Sequence, residues 1–234
     1  MSKYSIDTES YINSLENNYY CVNRNGQDIQ LKLDDKHKDI IDSINNFITT
    51  LIVKGRQIGS TTLLTAYVTE YCKRNPKTKV LIVGHNPQAE KDIIEKIREH
   101  SENKHKVNNK IVAASVNDIV FSNYSEVSNN LKRIKDRIDI IYVSEASFIN
   151  DVIMQELHYL YDIHKPKKVI IDGTPTTNEF KIMVEKNKTD VGKSVMFINY
   201  QDTPTIHPNP QIWIKGMKLT LTKKEFDQEI LGKL

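Results

Sequence analysis

The sequence predicts an α/β fold, in which a mainly parallel β-sheet is covered by helices on both faces. Short, almost wholly apolar segments alternate with amphipathic segments along the chain, and a strand without a polar side must be buried on both faces. The 234 residues, of which 38% are hydrophobic and 27% are charged, have an ordinary globular composition. Because such sheets bind ligands beyond the carboxyl ends of their strands, functional residues are expected directly after strands.

Each predicted strand is a short run rich in β-branched residues and bounded by turn residues. The runs are TTLIV at 49–53, KVLIVG at 79–84, IDIIYVS at 138–144, KKVIIDG at 167–173 and VMFINY at 195–200. A hairpin of two short strands is predicted within 111–123, with its turn at Asn117 and Asp118. The predicted helices, which space their apolar residues three or four positions apart, are 34–48, 60–75, 85–101, 151–163 and two short segments at the end of the chain.

Composition and charge exclude a membrane-spanning protein and a disulfide-stabilised protein. Residues 1–29 form a predicted N-terminal arm before a main domain at 30–234, and the polar, tyrosine-rich residues 1–25 are expected to be an arm or a short helix outside the core. The formal net charge of +3 permits a nucleic-acid partner without requiring one. No apolar run approaches the ~20 residues of a membrane span, and two cysteines are too few for a disulfide framework. These features predict a reduced, cytosolic protein with no membrane partner.

The first candidate site is the segment KGRQIGSTT, which begins at Lys54 between a predicted strand and a predicted helix. Such a junction suits a phosphate loop, because backbone N–H groups and a helix N-terminus point at the anion. In the pattern G-x-x-x-x-G-K-[ST], Gly59 takes the second glycine position and Thr61 the Mg²⁺-binding hydroxyl position, but Ser60 replaces the lysine. Lys54 or Arg56 could fold back over the phosphates. The alternative is an ordinary junction in which Gly59 only makes the turn.

Two further clusters follow later strands. Glu145 follows the strand IIYVS, where P-loop ATPases place the glutamate that polarises the attacking water, but Ser144 replaces their Mg²⁺-binding acid. No obvious substitute for that acid lies nearby in the sequence. The turn Gly173-Thr174-Pro175 follows KKVIID and could contact a γ-phosphate. Each cluster alone could be an ordinary strand end, but their order is that of the additional-strand, RecA-like P-loop NTPases.

Together the clusters resemble the ATPase domain of the large terminase subunit, the DNA-packaging motor of tailed phages and herpesviruses. The phosphate loop of that family, in the variant K-x-R-Q-x-G-x-[ST]-T, is similar to the segment from Lys54 to Thr62. Its motif I-Y-I-D-E-x-A-F-I is similar to residues 141–149, and its coupling motif T-T-P to residues 173–175. In KHKDII, His37 stands where the family's adenine-side motif has glutamine, and KKEFDQEILGKL resembles the family's F-x-Q-E segment.

The resemblance implies an ATP hydrolase that uses ATP and Mg²⁺ to translocate double-stranded DNA into a capsid. The catalytic residues it implies are Lys54 and Arg56, which would neutralise phosphate charge, and Glu145, which would orient the water. The residues it places against the nucleotide are Gly55, Gln57, Gly59, Ser60, Thr61, Thr62, His37 and Thr174. Thr61 is expected to bind Mg²⁺, and Ser144 is expected to hold it through a water molecule.

The resemblance also implies partners and a location. It implies a ring of subunits, with Arg133 or Arg137 acting in trans, a portal protein and a small terminase subunit as partners, and the host cell cytoplasm as location. Sequence-independent contacts to DNA phosphates are expected from the basic stretches 102–110 and 131–137, whose alternative role is that of solvated loops.

The sequence leaves open the origin of the single-domain length and two alternative functions. Large terminases carry a nuclease domain after the ATPase domain, and none is expected in this chain, which fits either an isolated domain or a split protein. A nucleotide-binding regulatory or assembly module, with its chemistry lost at Ser60 and Ser144, is the first alternative function. A helicase-like ATPase outside packaging is the second.

Overall fold

The structure, a computed structural model, describes residues 3–23, 26–102, 119–123, 137–148, 151–207 and 209–234. The first elements are helix α1 (Ile6–Asn18), strands β1 (Tyr20–Val22) and β2 (Asp28–Gln30), helix α2 (Asp35–Asn46), strand β3 (Thr49–Lys54), helix α3 (Ser60–Arg74), strand β4 (Val80–Gly84), helix α4 (Pro87–Glu102) and strand β5 (Ile119–Asn123). The later elements are strand β6 (Ile140–Val143), a 3₁₀ turn (Ala146–Phe148), helix α5 (Asp151–His164), strand β7 (Lys168–Gly173), helix α6 (Asn178–Lys188), strand β8 (Lys193–Ile198), a second 3₁₀ turn (Tyr200–Asp202), and helices α7 (Pro210–Thr220) and α8 (Lys223–Glu229).

Six of the described strands form one sheet in the order β5-β4-β6-β7-β3-β8, and all neighbours pair in parallel. Every residue of β3, β4 and β6 is buried, which explains why β4 and β6 lack charged side chains and why β3 has only one, Lys54 at its end. Strand β7 lies between β3, which leads into the candidate phosphate loop, and β6, which leads to Glu145. This insertion defines the additional-strand P-loop NTPase fold, so the predicted fold class is confirmed.

Helices cover both faces of the sheet. Ile52 of β3 packs in one buried cluster with Leu64 and Tyr67 of α3. The alternate residues of β3 pack in a second buried cluster with Leu160 of α5 and Phe180 of α6. Successive residues of a strand point to opposite faces, so β3 contributes to both layers of the core. The face that carries Ile52 is therefore the face covered by α3.

The N-terminal segment is part of the core, which differs from the expected arm. Tyr11, Ile12 and Leu15 of α1 are buried, and the ring of Tyr11 stacks on that of Tyr67 with centroids 5.2 Å apart. Only one narrow side of α1 is apolar, so the composition of the segment does not indicate a core helix. Tyrosines add to this because they bury large rings while their hydroxyl groups count as polar. The antiparallel pair β1 and β2 was not predicted, because both strands are three residues long and largely exposed.

The remaining predicted elements agree with the structure within a few residues, and α6 is an addition to them. Of the predicted hairpin, residues 111–118 lie outside the described part, and β5 pairs in parallel with β4. The described residues also exclude most of the two basic stretches, namely 103–110 and 131–136, and with them Arg133. Arg137 is described and is exposed. Among the helices of the described ranges, none is long and apolar enough to cross a membrane.

Candidate active site

The candidate phosphate loop connects the end of β3 to the start of α3. Gly59 adopts a φ of 77°, a left-handed conformation that glycine tolerates best, and forms the N-cap of α3. Ser60, Thr61 and Thr62 then form the first helical turn, whose backbone N–H groups have no acceptor within an α-helix. Those N–H groups and the positive end of the helix dipole can bind an anion.

Strand β8 and the C-terminal segment fix this loop by backbone contacts. The amide of Gly55 donates to the carbonyl of Ile198 at 2.9 Å, and the amide of Arg56 donates to the carbonyl of Glu229 at 2.6 Å. A Cβ atom on Gly55 would lie 2.3 Å from the carbonyl oxygen of Ile230, so only glycine fits there. The Arg56 guanidinium is exposed and lies 3.3 Å from the Glu229 carboxylate. Arg56 is therefore held at the rim of the site.

Lys54 and Glu145, which are 91 residues apart in the sequence, form an ion pair. Lys54 is the buried last residue of β3, and its ammonium donates to Glu145 Oε1. Glu145 follows β6 with a φ of 56°, a left-handed conformation that costs a non-glycine residue about 1–3 kcal/mol and is often found at functional sites. The structure thus joins two of the three predicted catalytic residues.

Asp172 holds the backbone of Glu145 and was missed by the sequence analysis. It lies in β7, is 0% exposed, and its Oδ1 accepts the Glu145 amide at 3.0 Å. Burial raises the pKa of the Asp172 carboxyl, against a smaller lowering by the adjacent Lys54 ammonium. The signal in the sequence was a carboxylate inside an apolar strand, because aspartate is almost never fully buried unless it is paired.

A cavity of about 340 Å³ lies in front of the ion pair. Its lining residues are Lys54, Arg56, Gln57, His85, Glu145, Ser147, Phe148, Thr174 and Thr176. Five of these nine were predicted, and the others come from strand ends and turns that meet only in the fold. The ring of His85 stacks on Phe148 with centroids 5.0 Å apart, and burial lowers the pKa of His85 more than the nearby Glu145 carboxylate raises it. A neutral imidazole therefore faces the cavity at neutral pH.

The turn that contains Thr174 is tied to the segment after Glu145. The Ser147 hydroxyl donates to the Thr174 carbonyl, and the Thr177 hydroxyl donates to the Ser147 carbonyl at 2.9 Å. Ser147 belongs to the 3₁₀ turn that follows Glu145. The segment after Glu145 and the turn after β7 are therefore joined by two side-chain hydrogen bonds.

His37 lies behind the phosphate loop, outside the residues that line the cavity. Its Nε2 is 3.0 Å from the carbonyl oxygen of Ile58, and its Nδ1 accepts the Asp34 amide at 3.3 Å. The imidazole is therefore neutral, with the proton on Nε2, and burial lowers its pKa. Ser144 is also buried, and its amide donates to the carbonyl of Val83 at 2.9 Å. The nucleotide and metal contacts of His37 and Ser144 stay predictions.

No protein-family model matches the sequence, and no curated protein matches it either. Solved structures that match include large terminases of phages. The large terminase of bacteriophage HK97 has a TM-score of 0.70 at 12% identity, over 100% of this chain and 55% of that one. The large terminase ATPase domain of Thermus phage P74-26 has a TM-score of 0.67 at 12% identity, over 86% of this chain and 94% of that one.

Two further matches concern ligands and the helicase alternative. The large terminase of another thermophilic bacteriophage, solved in complex with ADP, has a TM-score of 0.65 at 10% identity, over 86% of this chain and 53% of that one. The Pyrococcus furiosus Hef helicase domain has a TM-score of 0.52 at 16% identity, over 75% of this chain and 39% of that one. The resemblance to large terminase ATPase domains is therefore confirmed for the fold, and this chain spans about half the length of the HK97 protein and of the ADP-bound terminase.

Proposed function

We propose that this chain is an ATPase domain of a phage DNA-packaging motor, which couples ATP hydrolysis to the translocation of double-stranded DNA. The observation that carries this proposal is the Lys54–Glu145 pair between a phosphate-loop helix and the turn after β7. A cation, a carboxylate and a helix N-terminus are the groups that phosphoryl transfer to water requires. Their convergence favours an enzyme over a module that has lost its chemistry.

Each part of the site has a role in this proposal. The amides of Ser60, Thr61 and Thr62 bind phosphate oxygens, and Lys54 replaces the loop lysine whose position Ser60 occupies. Arg56 at the rim adds a second positive charge, and Gly55, Gln57 and Gly59 give the loop its shape. Glu145 orients the attacking water, and Thr174 responds to the loss of the γ-phosphate.

The residues present also fit a magnesium ion. Mg²⁺ is usually held by one or two protein oxygens together with phosphate oxygens and waters, and its charge would neutralise the phosphates during transfer. Thr61 at the start of α3 provides a hydroxyl. Asp172 provides a carboxylate that is buried beside Glu145, with one oxygen that has no hydrogen-bond partner among the described residues. Ser144 would contribute through a water molecule.

The partners follow from the same proposal. A packaging ATPase works as a ring of subunits against a portal protein, together with a small terminase subunit, in the host cell cytoplasm. It contacts DNA through phosphates, so its binding falls steeply with salt. The basic stretches 102–110 and 131–137 are the proposed contacts, with Arg133 or Arg137 as the arginine that acts in a neighbouring subunit.

The test is steady-state ATP hydrolysis by the purified chain in Mg²⁺, with and without double-stranded DNA. We expect measurable turnover that DNA stimulates, and we expect the stimulation to disappear between about 50 and 200 mM salt. Stimulation should be the same for DNA duplexes of unrelated sequence. Absence of turnover in both conditions would contradict the proposed activity, and turnover that single strands alone stimulate would favour the helicase-like alternative.

A further inference from the structure

Asp172 is an acidic residue at a fully buried position of the sheet, where a carboxylate is costly unless it has partners. It is 0% exposed within β7, in register with Ile52 of β3. On the other side, Ile171 of β7 pairs with Val143, the last residue of β6, so the next residues of the two strands are Asp172 and Ser144. Paired residues of parallel strands point to the same face, and for Asp172 and Ile52 this is the face covered by α3.

The two carboxylate oxygens of Asp172 have different surroundings. Oδ1 accepts the amide of Glu145 at 3.0 Å. Oδ2 is buried and has no hydrogen-bond partner within the residues that the structure describes. Burial raises the pKa of this carboxyl, and the Lys54 ammonium and the nearby Ser60 hydroxyl oppose that rise only in part. A buried acceptor without a partner is costly, so a site of this kind calls for a ligand or a water molecule.

We propose that Asp172 supplies the carboxylate that Ser144 lacks, so that the acid serving the nucleotide's Mg²⁺ has moved from the end of β6 to the adjacent strand β7. This inference rests on the proposed function, because it concerns the metal that accompanies the nucleotide. Neighbouring strands lie about 4.8 Å apart, a displacement that one metal-bound water can span. The site then keeps its carboxylate, on a different strand.

The competing explanation is that Asp172 only anchors the strained backbone of Glu145. The substitution Asp172→Asn separates the two roles, because asparagine keeps an oxygen that can accept the Glu145 amide and removes the negative charge. If Asp172 is only an anchor, Asp172→Asn leaves the response to Mg²⁺ unchanged. If the carboxylate serves the metal, the variant binds nucleotide with a higher requirement for Mg²⁺.

The experiment measures binding of ADP to the whole chain by calorimetry across a titration of Mg²⁺, with a parallel series in chelator. We expect Asp172→Asn to raise the Mg²⁺ concentration for half-maximal binding about 10- to 100-fold, as the loss of an outer-shell ligand does. Binding of ADP in chelator should not weaken. Thermal unfolding without nucleotide checks that the variant is folded.

The reciprocal variants make the test independent of how well Asp172→Asn folds. Ser144→Asp alone places a second carboxylate beside Asp172 and Glu145, so we expect a less stable protein with no lower Mg²⁺ requirement. The double variant Ser144→Asp, Asp172→Asn has one carboxylate again and should return to the wild-type requirement. An unchanged requirement in Asp172→Asn, or a double variant that folds but stays impaired, overturns the inference while the proposed function stands. A wild-type chain that binds no ADP at any Mg²⁺ concentration overturns both.

Discussion

In the proposed function, Lys54 at the end of a strand takes the place of the lysine that Ser60 replaces in the neighbouring loop. It is buried at the end of β3 and pairs with Glu145, yet it also lines the cavity in front of the phosphate loop. A bound polyphosphate would compete with Glu145 for this ammonium. The exchange of partners would release the carboxylate when the nucleotide arrives, which links occupancy of the site to the state of Glu145.

We predict that Lys54→Met weakens the binding of ATP about 10- to 100-fold and leaves the binding of AMP nearly unchanged. Hydrogen bonds to charged groups contribute about 1.5–3 kcal/mol, and only ATP carries the terminal phosphates that this charge would contact. Methionine keeps the apolar stem that β3 buries. The control is Lys186→Met on the exposed side of α6, which should change neither affinity. Equal losses for ATP and AMP would show that Lys54 acts only on the fold.

The burial of His37 predicts that the free energy of unfolding of the chain depends on pH. Its pKa is lowered by burial, and the nearby carboxylates of Asp34 and Asp202 oppose this only in part. The unfolded chain therefore binds a proton near pH 6.5, when the folded chain does not, and stability falls as the pH drops below that value. Protonation of Nδ1 would also break its hydrogen bond from the Asp34 amide.

We predict that His37→Gln makes the unfolding free energy less sensitive to acid between about pH 6.5 and 5. As the pH falls, the unfolding free energy of the wild-type chain should decrease by up to about 1.4 kcal/mol per pH unit more than that of the variant. Glutamine can form hydrogen bonds with the same backbone groups but does not titrate. Denaturant unfolding at several pH values measures the difference. His158→Gln, on an exposed part of α5, should keep the wild-type slope. The same slope in His37→Gln would exclude His37 as the source.

At the scale of elements, the C-terminal segment around α8 acts as a support for the phosphate loop. The carbonyls of Glu229 and Ile230 lie directly against Gly55 and Arg56. A loop that must present its amides to an anion is more effective when its backbone is fixed before the ligand arrives. This contact gives the F-x-Q-E segment a physical role in the site.

We predict that Gly55→Ala destabilises the protein by about 1–3 kcal/mol and weakens ATP binding, because its methyl group would displace the Ile230 carbonyl. The matched control is Gly216→Ala in α7, where a Cβ atom has no neighbour within 4 Å. That change should stabilise the protein by about 0.5–1 kcal/mol, as alanine does within a helix. Denaturant unfolding measures the stability of both variants. Similar effects of the two substitutions would contradict the role of the C-terminal segment as a support for the phosphate loop.

The elements that the sequence predicted well are those in which local pattern and tertiary burial agree. Strands β3, β4 and β6 are mainly apolar because both of their faces are covered, and α3 begins at the expected serine after Gly59. The burial of helix α1 in the core was not predicted, because three buried apolar side chains on one side are a weak pattern. Pairing between distant strands is absent from the linear sequence, so the position of Asp172 beside Ser144 could not be predicted.

At the scale of the whole molecule, the strand order brings the parts of the site together. Because β7 is inserted between β3 and β6, the turn at Thr174 lies between the phosphate loop and Glu145. The hydrogen bond from the Ser147 hydroxyl to the Thr174 carbonyl connects this turn to the segment that follows Glu145. The fold therefore offers a short connection from the proposed site of hydrolysis to α6, which follows the turn. A motor needs such a connection to convert a chemical step into movement.

The most direct test of this account compares Glu145→Gln with the wild-type chain for ATP turnover and for ATP affinity on the same preparations. Removal of the carboxylate should reduce turnover about 100-fold or more, because it removes activation of the water. It should not weaken ATP affinity, because the phosphate contacts remain and the Lys54 ammonium loses a competing partner. Glu185→Gln on the exposed side of α6 should match the wild type in both. Turnover in Glu145→Gln equal to that of the wild-type chain would contradict the assignment of this cavity as the site of hydrolysis.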